Sequence, residues 1–338
     1  MTLGPERLRN ASTPLLAGAL AIALAAVSAA AICTGSTSTG PAEIALWISE
    51  GMPDGATATI ILNIRIPRVA AALLAGAALA AAGAVIQAVL DNPLASPNII
   101  GINSGAGLAV LLAASLLPHA PWMPPIAAFA GALVAAGLVL AISVHAGTSR
   151  LTVILAGIAI TTVFGAGMNT VLIIDPDAYV GSSAFLTGGL SGVLLQDLLW
   201  PSAFIALGCI SAVLLSPILN ILSLGDDSAR SLGLNTTAVR LGLLAVASML
   251  AGAAVSFAGL LGFVGLVVPH AVRMAAGSDN RRVVPLSMLA GAATVVACDA
   301  LTRSMFAPYE VPVGIFMAFI GGPFFIYLIL RNRRGGLG

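Results

Sequence analysis

This sequence predicts an all-α polytopic membrane protein with about ten transmembrane helices, and three observations predict it. Hydrophobic residues make up 59% of the 338, charged residues only 8%, and mean hydropathy is +1.06. A soluble domain carries about 25% charge, so no aqueous surface can be built from this inventory. Apolar runs long enough to span a bilayer, ~20 residues each, recur along the whole chain. The fourteen cationic side chains are all arginine, and one threading places eleven of them on a single face, as the positive-inside rule requires.

The spans run Pro14–Cys33, Val69–Leu90, Ile99–Leu117, Ile126–Val144, Leu151–Ile174, Leu198–Leu222, Leu241–Phe257, Phe263–Ala276, Pro285–Ala300 and Pro312–Leu330. The first follows Arg7 and Arg9; it is long for a signal-peptide core and more spans follow, so it reads as an uncleaved helix. The eighth is short. Yet Leu241–Ala276 is too long for one crossing, and a single crossing would export Arg331, Arg333 and Arg334. With both termini inside, the inner loops are Asp91–Asn98, His145–Arg150, Ser223–Arg240 and Gly277–Val284. The outer segments are Thr34–Asn63, Pro118–Pro125, Asp175–Asp197 and Leu301–Val311; within the first, Ala42–Ile48 with Trp47 reads as a short interfacial helix. Residues 1–338 form one transmembrane domain.

Small residues crowd the spans. Ala72, Gly76 and Ala80 recur at every fourth position, Gly101 and Gly105 repeat that spacing, and Gly259, Gly262 and Gly265 cluster between spans seven and eight. In lipid this is the pattern of closely approaching backbones. An inverted repeat of spans two to five and seven to ten is left open.

Several functions are excluded. The near-neutral charge offers no basic patch for nucleic acid. Without lysine there is no Walker A loop, so any ATP hydrolysis belongs to another chain. Neither HExxH nor G-x-S-x-G occurs, which leaves an intramembrane hydrolase without its groups. Cys33, Cys209 and Cys298 sit in apolar runs and read as packing residues; His119, His145 and His270 have no cluster of ligands around them, so no metal site is expected. A gradient-driven carrier needs carboxylates deep in its spans, and here only Asp299 qualifies, four residues before Arg303 in the order that favours a helical ion pair.

Two features point to partners. Arg65, Arg68 and Arg303 fall on the outer face against the positive-inside rule, and no acid lies within a helical turn of the first two. The inner loop Ser223–Arg240 offers Asp226 as an N-cap, Gly233 as a C-cap and a short helix over Asp227–Leu232. Asn235 or Thr236 can cap a second helix leading into span seven. Two capped helices would make a rigid knob facing the cytoplasm.

Four separated blocks resemble the permease subunits of type II ABC importers for iron-siderophores, haem and cobalamin. They are Arg65–Gly107 (with Gln87, Asn92, Pro93, Leu94, Ala95 and Gly101), Leu224–Gly233, Gly259–Arg273 and Glu310–Phe325. The resemblance implies a ten-span importer subunit, not an enzyme, in the bacterial cytoplasmic (inner) membrane. Its implied partners are a second permease chain, identical or homologous, two ATPase subunits and an extracytoplasmic substrate-binding protein, with ATP and Mg on the ATPases and no cofactor in this chain. It assigns ATPase coupling to Leu224, Gly225, Asp226, Ala229, Arg230, Leu232 and Gly233. It assigns docking of the binding protein's acidic side chains to Arg65, Arg68 and Arg303. The translocation path would run between two permease copies along spans five and ten, with Thr161, Thr162 and Asn169 as polar points and Thr148 and Ser149 at the cytoplasmic gate. Asn92–Gly107 is closest in wording to the ferric-siderophore permeases, with haem and cobalamin as the alternative cargoes.

Overall fold

A computed structural model describes residues 5–34, 56–120, 122–147, 149–307 and 309–334. The interfacial helix expected at Ala42–Ile48 and the gate residue Thr148 lie outside the described residues. The described chain is helical from end to end. Its elements are α1 (Pro5–Cys33), α2 (Ala56–Ile60), a π-helical turn (Ile61–Arg65), α3 (Ile66–Leu90), α4 (Ile102–Leu116), α5 (Met123–His145), α6 (Arg150–Ile174) and α7 (Asp177–Thr187). They continue as α8 (Leu199–Leu214), α9 (Ser216–Leu222), α10 (Asp226–Ser231), α11 (Thr236–Ala258), α12 (Val264–Ala276), α13 (Asn280–Met305) and α14 (Val313–Arg334). Among the described residues seven helices are long and apolar enough to cross a membrane, and α4, α12 and α14 supply three shorter apolar ones.

The axis of the bundle is α3. Of its most apolar stretch 78% lies inside the protein, against 6% for α1, which is therefore peripheral. Around α3 stand α11, α12 and α13. What lets them so close is the absence of side chains at the crossings. A Cβ on Gly76 would overlap the carbonyl of Gly291 in α13, and one on Gly83 would overlap Gly265 in α12. Gly105 of α4 meets Gly131 of α5 in the same way. The four-residue spacing of small groups in the sequence is thus the seam itself.

Helix ends differ from expectation where tertiary partners or proline intervene. The second span begins well before Val69, because Ala56–Leu90 is continuous through the π-helical turn. Pro67 has no N–H to give the preceding turn, and the wide π geometry yields to α at that point. The ninth span likewise reaches from Asn280 to Met305, past both expected ends. Pro217 breaks the expected Leu198–Leu222 helix into α8 and α9 at Leu215. The segment after α6 folds back as α7, which composition did not signal.

Two turns deserve their odd backbone. Phe263 has φ of 64°, rare for a bulky residue; its ring occupies the space that Gly321 of α14 leaves empty. Gly259 has φ of 69° and lies against the carbonyl of Phe185, where a Cβ would collide. Leu260 then donates its N–H to Phe185 O at 2.9 Å, and Gly314 donates to Gly188 O at 2.8 Å, so α7 is tied to the end of α11 and the start of α14.

The seam makes a contrast testable. Gly76→Val should cost about 1–3 kcal/mol through overpacking and lower the thermal midpoint in detergent. Gly137→Ala, where a Cβ meets open space, should leave that midpoint unchanged.

Candidate functional site

The polar chemistry of the molecule lies at the two ends of the bundle. At one end Arg65, Arg68 and Arg303 do converge, as the threading expected. They do not stand free: the three residues are 2%, 4% and 4% exposed. Arg68 is clamped on two carboxylates. Its Nε lies 3.0 and 3.1 Å from the two oxygens of Asp299, and its NH1 lies 2.8 Å from Glu310 Oε2. Arg303 Nε reaches Asp299 Oδ2 at 3.1 Å, the local pair the four-residue spacing foretold. Its other nitrogens donate to Thr34 O and Ala31 O at 3.2 and 3.1 Å, and Arg65 NH1 donates to Ile32 O at 2.7 Å. These carbonyls close α1, whose C-terminal end favours cations.

Arg68, with no acid within a helical turn of it in sequence, is nonetheless paired with acids in space. The acids arrive from other helices, Asp299 from α13 and Glu310 from the link before α14. Burial explains the arrangement, since a guanidinium out of water must be paired. Glu310 is the accessible member, with 40% of its side chain exposed. Ser191, from the segment after α7, donates to its Oε2 at 2.6 Å. Partial burial alone would raise the Glu310 pKa. The hydrogen bonds from Ser191 and Arg68, with the charges of Arg68 and Arg303, outweigh that and hold the carboxyl below its ordinary value of 4.5.

At the opposite, arginine-rich end the short helix α10 projects from the bundle. Gly225, with φ of 98°, occupies the N-cap position in place of Asp226, and the helix spans Asp226–Ser231, one residue earlier than the spacing implied. The Asp226 carboxylate goes instead to Arg240 of α11, at 2.7 Å. Arg230 does not pair with Asp226; its Nε donates to Thr236 Oγ1 at 3.3 Å. Gly233 takes the left-handed conformation expected of a C-cap (φ 83°), and Asn235 caps α11 by accepting from Ala238 N at 3.1 Å. Ala229 is fully buried under α10, whereas Leu224 and Leu232 are each 63% exposed.

Near this knob α6 begins. Ser149 caps it, accepting from Thr152 N at 3.0 Å. Arg150 binds Asp91 at 2.6 Å and Leu222 O at 3.4 Å, tying the base of α6 to α3 and α9. Asp91 takes a left-handed C-cap conformation to end α3. Along α6, Thr161, Thr162 and Asn169 are exposed on the isolated chain, and the Thr162 hydroxyl is satisfied by Ile158 O of its own helix. Among the described residues no group of three or more His, Cys, Asp or Glu side chains could hold a metal ion.

Residues 22–331 match the FecCD transport family. The chain is a member of that family. It is 40% identical over 283 residues to the hemin transport permease of Yersinia pestis, covering 81% of this chain and 84% of that one. It is 41% identical over 288 residues to the cobalamin import permease of Halobacterium salinarum (84% and 76%), and 37% identical over 301 residues to the ferric enterobactin permease of Escherichia coli (88% and 89%). A solved inward-facing structure assigned to the metal-chelate type of ABC transporter superposes with a TM-score of 0.82 at 26% identity, covering 94% of this chain and 99% of that one. FecCD members are transport permeases, and this one is a multi-pass membrane protein with the permease fold.

Sequence reasoning missed Glu310 as part of the arginine cluster, although it lies in a quoted block. It also missed that Asp299 serves two arginines, which the scarcity of intramembrane acid could have suggested.

Asp299→Ala should strand two buried guanidiniums and destabilise the fold by about 3–5 kcal/mol, read as a lowered thermal midpoint. Glu310→Gln should do less. A depressed carboxyl stabilises above its unfolded pKa and loses that contribution as pH falls through the folded value. The difference in midpoint between wild type and Glu310→Gln should therefore be constant near neutrality and shrink as pH drops below 4.5.

Proposed function

We propose that this chain is the transmembrane permease subunit of a binding-protein-dependent ABC importer that moves a ferric siderophore across the bacterial cytoplasmic membrane. Separate ATPase subunits power it, and the arginine-rich end, with both termini, faces the cytoplasm. The observation that carries this reading is the α10 knob. It is a short helix seated on a buried alanine and a carboxylate–guanidinium pair, with Leu224 and Leu232 left bare on either side. Apolar side chains exposed on a fixed support suit a cleft in a partner, where a few buried anchors supply most of the binding energy.

Several features support the rest of the assembly. The lack of lysine leaves this chain without a Walker A loop, which supports a separate ATPase chain. Exposed apolar side chains on α6 and α14, such as Leu155, Val163, Phe319 and Ile326, fit a second permease copy, with Thr161, Thr162 and Asn169 facing the path between them. Ser149, and Thr148 beside it, belong to the cytoplasmic gate on this reading. The relatives named for a cargo carry hemin, ferric citrate, ferric hydroxamate, ferric enterobactin or cobalamin, all bulky chelates. Asn92–Gly107 favours a siderophore among them. A substrate-binding protein meets the far end at Arg65, Arg68 and Arg303. Because these are already paired, its acidic side chains engage Arg68 by replacing Glu310, the half-exposed partner. Such contacts steer and orient more than they hold.

Leu224→Asp and Leu232→Asp alter exposed positions, so the thermal midpoint should not move. Each should reduce the ATPase chain retained on the affinity-purified permease by at least ~10-fold. Full retention in both variants would rule α10 out as the seat. Uptake of labelled ferric siderophore, unaffected by excess hemin or cobalamin, checks the cargo.

A further inference from the structure

A six-residue helix such as α10 cannot hold its own shape in water. Its order comes from α11. Two polar links join them, Asp226 to Arg240 and Arg230 to Thr236, and both helix-side partners on α11 are buried. The backbone closes α10 on its own C-terminal turn, with Leu234 N donating to Ala229 O at 3.1 Å. The Asp226–Arg240 pair is lopsided. The guanidinium is 2% exposed, whereas the carboxylate is 35% exposed. A guanidinium cannot shed its proton, and a buried one cannot easily give up its counter-charge. Wherever α11 carries Arg240, Asp226 is constrained to follow.

The other end of α11 is also tied. Its last turn leads through Gly259 to Leu260, whose N–H donates to Phe185 O of α7, and α7 leads to Gly188, whose carbonyl accepts from Gly314 N at the start of α14. One 23-residue helix therefore joins the knob to α7, which packs beside α6, and through α7 to the start of α14.

We propose that Arg240 is a positioning residue for energy coupling: by holding Asp226 it makes α10 and α11 one rigid body, so that force on the knob is delivered along α11. This rests on the reading of α10 as the seat of an ATPase partner. Arg240 touches neither cargo nor nucleotide; it acts through Asp226.

Two arms test it, and they fail separately. In the purified permease without partners, amide hydrogen exchange over residues 229–234 should be slow in the wild type. It should quicken by about tenfold in Arg240→Met, a change that removes the buried charge instead of stranding it. In the reconstituted complex, Arg240→Met should retain its ATPase chain and its basal hydrolysis but lose the stimulation produced by the loaded binding protein. Asp226→Asn should lower the number of cargo molecules moved per ATP to the same level, and the double variant should be no worse than either single one. Unchanged exchange in Arg240→Met overturns the clamp, as do losses that multiply in the double variant. If the wild-type permease retains no ATPase chain, the functional reading fails, while the exchange arm still decides whether the clamp exists.

Discussion

Everything in this bundle depends on how closely other backbones approach α3. Lipid offers no hydrophobic force to press helices together, so contact must come from shape. Glycine at positions 76 and 83 meets glycine at 291 and 265, which sets α13 and α12 against α3 at backbone distance. The consequences appear at both ends of the same helix. Towards its start, α3 and α13 are close enough for Arg68 to take both oxygens of Asp299. Towards its other end, Arg273 of α12 reaches Ala84 O at 3.1 Å, and Gln87 reaches Leu266 O at the same distance. A wider seam would leave those groups buried and unpaired, which costs more than the packing itself.

Most of the architecture was legible because lipid imposes length and apolarity on each span, and both can be read locally. A helix within the expected eighth span, Phe263–Ala276, could be inferred despite its shortness, and the structure has one at Val264–Ala276. The knob was legible for a similar reason: Gly233 and Asn235 are cap residues whose roles depend only on near neighbours. Asp226 was misjudged because a residue fourteen positions away competes for its carboxylate. The environment of Arg68 was hidden in the same way, with its two acids 231 and 242 residues distant. No acid lies within a helical turn of Arg68, yet two stand beside it in space. Helix α7 escaped notice because Gly181, Ser182 and Ser183 weaken any helical signal, and its position is fixed by Phe185 and Gly188 contacts made far away in sequence.

The same facts bear on how such a chain could be driven. Asp299 is the only buried carboxylate among the described residues. A proton carrier would need to charge and discharge it. Neutralising Asp299 would leave Arg68 and Arg303 sharing a buried site with half-exposed Glu310 alone, an arrangement that low dielectric opposes. Asp299 is thus a structural counter-ion among the described residues. On the proposed reading, the energy for movement enters from a partner chain as mechanical force. Force is transmitted well only by parts that do not yield. Glycine seams without side chains to rearrange, and a knob fixed through a guanidinium that must keep its counter-charge, are two such parts.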